Sequence, residues 1–168
     1  MDVQSVQYFA NYHVWATRRL MLSLQQVSDS DFHAQVGLFF QSIFGTLNHL
    51  LLGERDLWLA RFMQQQTPIL ALNTVVESDR QQLMQQYLDT TLKWQTFVNG
   101  LGQTKPDKEL HYTTSIGLNV SLPFVASLFH VFNHATHHRG QITAAMTALG
   151  YVCPSLDMVY YLLEQNTA

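Results

Sequence analysis

The chain has 168 residues, 47% hydrophobic and 12% aromatic, which supplies apolar material for one core and predicts one domain over residues 1–168. Only 12% of residues are charged; a net charge of −3 with nine scattered Lys and Arg lacks the basic stripe that phosphate contacts need, so nucleic acid is excluded as a partner. One cysteine, Cys153, excludes an internal disulfide framework and a Cys-based zinc knuckle, and the start MDVQSVQYFANYHVW has the pattern of neither a signal peptide nor a membrane span, so a reducing, cytoplasmic setting away from membranes is expected.

A first helix is predicted from a cap at Asp2 to about Gln25, because Val6, Phe9, Ala10, His13, Val14, Ala16, Thr17, Leu20, Met21 and Leu24 recur at helical spacing. The stretch VSDSDFHAQVG carries Ser, Asp and Gly without periodicity. A second helix follows from about Gln41 to Gln65, its stripe including Phe44, Leu47, Leu51, Trp58 and Phe62. TVVE reads as a capping box, with Thr74 bonding the amide near Glu77 and Glu77 reaching back, and Asn99 with Gly100 supplies a stop; a third helix lies between them. Residues 107–120 contain β-prone pieces around Gly117 and predict a short hairpin or extended connector. Ser121 with Pro123 starts a fourth helix that continues to Leu149, where Gly150 closes it. After GYVCP, Ser155 can cap a short C-terminal helix, LDMVYYLLEQ, with one apolar face for docking. The fold class is all-α.

Four of the eight histidines fall in HVFNHATHH, at His130, His134, His137 and His138. An α-helix turns about 100° per residue, so His134 and His138 lie one turn apart on one face and their imidazoles can share one ion. His130 and His137 are close to the same face, and Gln141 is three residues beyond His138. Such spacing also arises on solvated faces and in polar bundle interiors, and a metal site needs a further ligand. The best donor elsewhere is His49, set among apolar neighbours in FGTLNHLLLGERDLW. Three neutral imidazoles from two helices would bind Zn²⁺, Ni²⁺ or a similar divalent ion and leave at least one position for water or substrate.

Four segments, YHVWATRRL, FGTLNHLLLGERDLW, HVFNHATHHRGQI and GYVCPSLDMVYYL, resemble in this order the DinB/YfiT-like proteins, over essentially the whole chain. The resemblance implies an up-down-down-up four-helix bundle, often a homodimer, with a metal centre whose ligands carry over to His49, His134 and His138. The third ligand is followed by Arg-Gly-Gln in that family, which selects His138 rather than His137. The first helix departs from the family in having Thr17 where Asn is common.

Around the site, His137 is expected at the surface or behind the ligands, and His130 as a hydrogen-bond partner, a spare base or polar lining. Asp56, seven residues after His49, falls nearly on the same α-helical face and is a candidate to orient a histidine or accept a proton. Gln141 is a further weak catalytic candidate. Gly140 hints at close backbone packing, Tyr12, Trp15 and Trp58 are candidates to line a pocket, and Cys153 reads as a small buried residue. The resemblance implies metal-dependent chemistry, either S-transfer with a low-molecular-weight thiol or hydrolysis, with a non-catalytic metal-binding dimer in stress response as the alternative. None of Glu54, Glu77, Glu109 or Glu164 belongs to a Glu-x-x-His motif, which sets a di-iron centre aside.

Overall fold

Each long helical stripe must be buried against another, and four such stripes close on one another as a bundle. The computed structural model describes residues 3–101, 108–114 and 117–166. The bundle helices are α1 (Val3–Leu24); α3 (Ile43–Leu51), which runs on through a π-helical segment (Leu52–Leu59) into α4 (Ala60–Phe62); α5 (Arg80–Leu101); and α6 (Phe124–Ala148). A five-residue helix α2 (Asp29–His33), an antiparallel hairpin of β1 (Glu109–Thr113) and β2 (Asn119–Pro123), and α7 (Met158–Asn166) complete it.

Two apolar clusters fill the interior and fix the helix directions. One joins Leu20 and Leu24 at the end of α1 to Ile43 and Leu47, to Leu83 and Tyr87 at the start of α5, and to Ile142 and Met146 near the end of α6. The other joins Val6 at the start of α1 to Leu59 and Phe62, to Trp94 and Val98, and to Phe124 and Leu128 at the start of α6. The sense is therefore up-down-down-up, with α1 packed on α5 and α6 and α3 packed on the same two. His13, Glu54 and Arg139 are buried as well, and they form a polar layer through the bundle interior.

The hairpin expected between the third and fourth helices is present, pairing Glu109 with Pro123 and Thr113 with Asn119. Gly117, at φ +82°, takes the left-handed conformation its turn requires. Gly150, at φ +87°, closes α6 as expected, with the Tyr151 amide donating to the Met146 carbonyl.

Several local expectations are corrected. The stretch after α1 holds α2, capped by the Ser28 hydroxyl accepting from the Asp31 amide. Thr74 and Glu77 do not form a capping box: Asn48 Oδ1 already accepts from the amides of Val76 and Glu77, so this loop docks on α3 instead. Asp79 accepts from the Gln82 amide one turn into α5. Asn99 and Gly100 do not stop that helix, which continues to Leu101. Ser121 belongs to β2, so α6 starts only after Pro123. Ser155 is not the cap of α7, because that helix starts only at Met158, three residues later, and the Leu156 carbonyl accepts from the Tyr12 hydroxyl. The cap expected at Asp2 lies outside the described residues.

Candidate metal centre

His49 comes from the last turn of α3, and His134 and His138 from successive turns of α6, which packs against it. The Nε2 atom of His134 lies 3.2 Å from that of His49 and 3.1 Å from that of His138. All three nitrogens fall within 4.8 Å of one another. Ligand nitrogens about 2.1 Å from one ion are about 3.0 Å apart at a right angle and about 3.4 Å apart at a tetrahedral angle, so these separations suit a shared cation.

Hydrogen bonding behind the rings sets their tautomers. His49 Nδ1–H donates to the Leu72 carbonyl at 2.9 Å, and His138 Nδ1–H donates to Gln141 Oε1 at 2.8 Å. Each of these rings then presents a bare Nε2 lone pair to the centre. A proton on His134 could satisfy only one of them, whereas a cation could be shared by all three.

Burial first, and then the neighbouring imidazoles, push His134 down to about 3. Burial likewise brings His138 to about 4, with Gln141 opposing the shift. His49 is lowered by burial, against the pull of the Leu72 carbonyl. All three are thus neutral at pH 7, the form that ligates a metal without first releasing a proton.

Two supports hold His49. Phe40 stacks on its ring at 3.8 Å and 16°. Gly45 lets the Phe40 backbone come this close, because a Cβ there would overlap the Phe40 carbonyl oxygen. Buried Asn48 also donates to the Glu77 carbonyl at 3.1 Å, so together with its two acceptor bonds it pins the loop that carries Leu72.

The expected neighbours separate clearly. Gln141 touches the centre as a positioning residue, accepting from His138 and donating to exposed His137. The His130 ring packs 5.6 Å from that of His134 and 4.9 Å from that of Trp58. Asp56 is not brought to a histidine: Arg55 grips its carboxylate with two bonds of 2.7 and 2.9 Å. The π-helical segment is wound more widely than an α-helix, so the α-helical count that aligned Asp56 with His49 fails there. Tyr12 and Trp15 pack with Tyr161 against α7 rather than lining the centre. Gly140 meets no close backbone, and Cys153 packs against the Thr143 carbonyl.

One buried network was not legible from spacing. Glu54, in the π-helical segment, accepts from the Tyr87 hydroxyl at 2.8 Å and from His13 Nε2–H at 2.9 Å. Arg139 donates to His13 Nδ1 at 2.7 Å and to the Thr136 hydroxyl at 2.8 Å. Carboxylate and guanidinium thus face each other through a neutral imidazole, tying α1, α5 and α6 to the segment that follows His49. The signals in the sequence were a histidine within the apolar stripe of α1 and an arginine next to His138.

Fold and site together define a class of protein: an up-down-down-up helical bundle whose central histidines are compatible with a bound metal ion. Sequence comparison gives this class a family. The DinB family model matches residues 1–167, and the chain belongs to that family. The chain is also 24% identical over 163 residues to Protein DinB of Bacillus subtilis (strain 168), covering 93% of this chain and 92% of that protein. Among the described residues, no helix is long and apolar enough to cross a membrane.

Proposed function

We propose that this protein is a cytoplasmic metal-dependent enzyme in which His49, His134 and His138 hold a divalent ion, zinc or nickel, and which activates either a low-molecular-weight thiol for S-transfer or water for hydrolysis. The observation that carries this reading is the convergence of the three Nε2 atoms, with two of their tautomers set by Leu72 and Gln141. A divalent ion there supplies the positive charge that lowers the pKa of a thiol or water and makes a nucleophile near neutral pH. Gln141 and the Leu72 carbonyl hold the imidazoles in their ligating orientation, and Phe40 covers one face of His49. His130, whose ring packs 5.6 Å from that of His134 and whose pKa is lowered by burial and then by Arg61, is the residue we assign to take the proton of the activated nucleophile.

The test is metal content per chain by mass spectrometry on untagged wild type, His49→Ala, His134→Ala, His138→Ala and the control His137→Ala. Near-stoichiometric metal lost in the first three and kept in the control is the expected result. A wild type that takes up no divalent ion on reconstitution refutes the proposal. The loaded protein is then screened with electrophiles, with and without thiols.

A second reading, a non-catalytic metal-binding homodimer, draws on α7, where Val159, Tyr160 and Leu162 are exposed on a short apolar helix. Metal-dependent dimerisation without turnover, measured by light scattering, would favour it.

A further inference from the structure

A two-stranded hairpin leaves each strand one free edge, and here the two edges differ. The Phe124 amide donates to the Lys108 carbonyl at 3.0 Å and the Thr114 amide to the Leu118 carbonyl at 2.8 Å, in the register that also pairs Leu110 with Leu122 and Tyr112 with Val120. Bonded pairs recur at every second residue, so Glu109, His111 and Thr113 turn their N–H and C=O groups away from β2. Among the described residues, no backbone hydrogen bond from another element reaches them. The outer edge of β2 carries Pro123, which has no N–H to offer, whereas β1 contains no proline.

The free edge of β1 opens on a cleft of about 1150 Å³. Every residue from 108 to 114 lines this cleft and none of Asn119–Pro123 does, so it runs along the edge rather than over a face of the hairpin. The opposite wall is the run after α4, where Gln64, at φ +55°, turns the chain and residues 65–70 continue without helix or strand. The hydrogen-bonding wall formed by the five residues of β1 is about 17 Å long, at about 3.4 Å per residue. Its charges favour an acid. Arg61, Lys108 and His111 line the cleft against one carboxylate, that of Glu109, which already accepts from the Ser121 hydroxyl at 2.6 Å and lies 3.8 Å from His111 Nε2.

We propose that this edge is a docking site for an extended acidic segment of a partner protein, which adds to β1 as a third strand. Its backbone pairs with Glu109, His111 and Thr113, and its carboxylates lie among Arg61, Lys108 and His111. Leu110 is buried and Tyr112 half-buried against the bundle, so β1 is anchored before the partner arrives and little ordering is needed on its side. The assignment rests on the hairpin and the cleft alone and is independent of the metal centre.

The experiment uses the full chain and a capped peptide of about eight residues alternating valine with glutamate, long enough to span β1 and prone to extend. Affinity is measured by calorimetry and amide exchange by NMR. On binding, the His111 and Thr113 amides should exchange at least about 10-fold more slowly, while those of Leu110 and Tyr112, which already face β2, change much less. A peptide with lysine in place of glutamate should bind at least about 10-fold more weakly, and one N-methylated throughout its backbone should not bind. His111→Pro removes one outward N–H and none of the bonds between β1 and β2, so it should lower affinity about 5-fold or more with an unchanged circular dichroism spectrum. The exchange pattern of the wild type decides the matter whether or not that variant folds. No binding of the glutamate peptide at millimolar concentration, equal binding of the lysine or N-methylated peptide, or protection that falls outside β1 overturns the proposal.

Discussion

Replacing Glu54 by Gln keeps the side chain's shape but removes a negative charge from a position 1% exposed. The carboxylate accepts from Tyr87 at 2.8 Å and from His13 at 2.9 Å, and His13 in turn accepts from Arg139, itself 1% exposed. Gln therefore leaves the Arg139 guanidinium buried without its balancing anion. Breaking a buried ion pair costs about 3–5 kcal/mol, and because an imidazole separates the charges here, a loss near the lower end, about 3 kcal/mol, is expected. With a urea slope of about 2–3 kcal/mol per molar, the unfolding midpoint should fall by about 1–1.5 M with the slope unchanged. Tyr87→Phe removes one bond to the same carboxylate but not the charge, so about 1.5 kcal/mol is expected. The double variant Glu54→Leu with Arg139→Met should cost much less than its two single variants added together, because it leaves neither charge stranded. Urea denaturation of the set decides the matter. A loss under about 1 kcal/mol for Glu54→Gln, or additivity of the double variant, would refute the reasoning.

Three further outcomes are expected. Gly45→Ala sets a Cβ against the Phe40 carbonyl and should cost about 1–3 kcal/mol while weakening metal binding; an unchanged denaturation midpoint would contradict this. Asn48→Ala removes the bonds that dock residues 76 and 77 and carry the Leu72 carbonyl, so metal Kd should rise about 10–100-fold, and amide exchange at Val76 and Glu77 should accelerate. Wild-type exchange rates in that variant would reject the role given to Asn48. Asp31 lies below its ordinary value of 3.8 because Tyr151 and then Ser28 hydrogen-bond its carboxylate. A depressed carboxylate stabilises the fold above its unfolded pKa and loses that contribution as pH falls through the folded one. The Tm gap between wild type and Asp31→Asn should thus be constant from pH 8 to about 5 and close below about pH 4. A gap that persists at pH 2 would assign the effect to packing instead.

Much of the bundle was legible because burial imposes a period. The stripe from Val6 to Leu24 is the buried face of α1, and the break at Gly150 is where α6 ends. Local signals did less well where a distant group intervened: Thr74 and Glu77 have the spacing of a capping box, yet Asn48, from another helix, takes the amides that would have used it. Asp56 failed for a related reason, since the π-helical winding after Leu51 changes which residues share a face with His49.

The sequence by itself determined that His134 and His138 share a face, because four residues on an α-helix return to nearly the same angle whatever surrounds them. It also determined four helical stripes in order and a β-prone break before the last, for these follow from periods of a few residues. Only the tertiary structure decided that Leu72 and Gln141 orient the imidazoles, that Gly45 rather than Gly140 is the close contact, and that Glu54 faces Arg139 through His13. Those pairings join groups far apart along the chain, across distances that short-range periodicity does not encode and that packing alone sets.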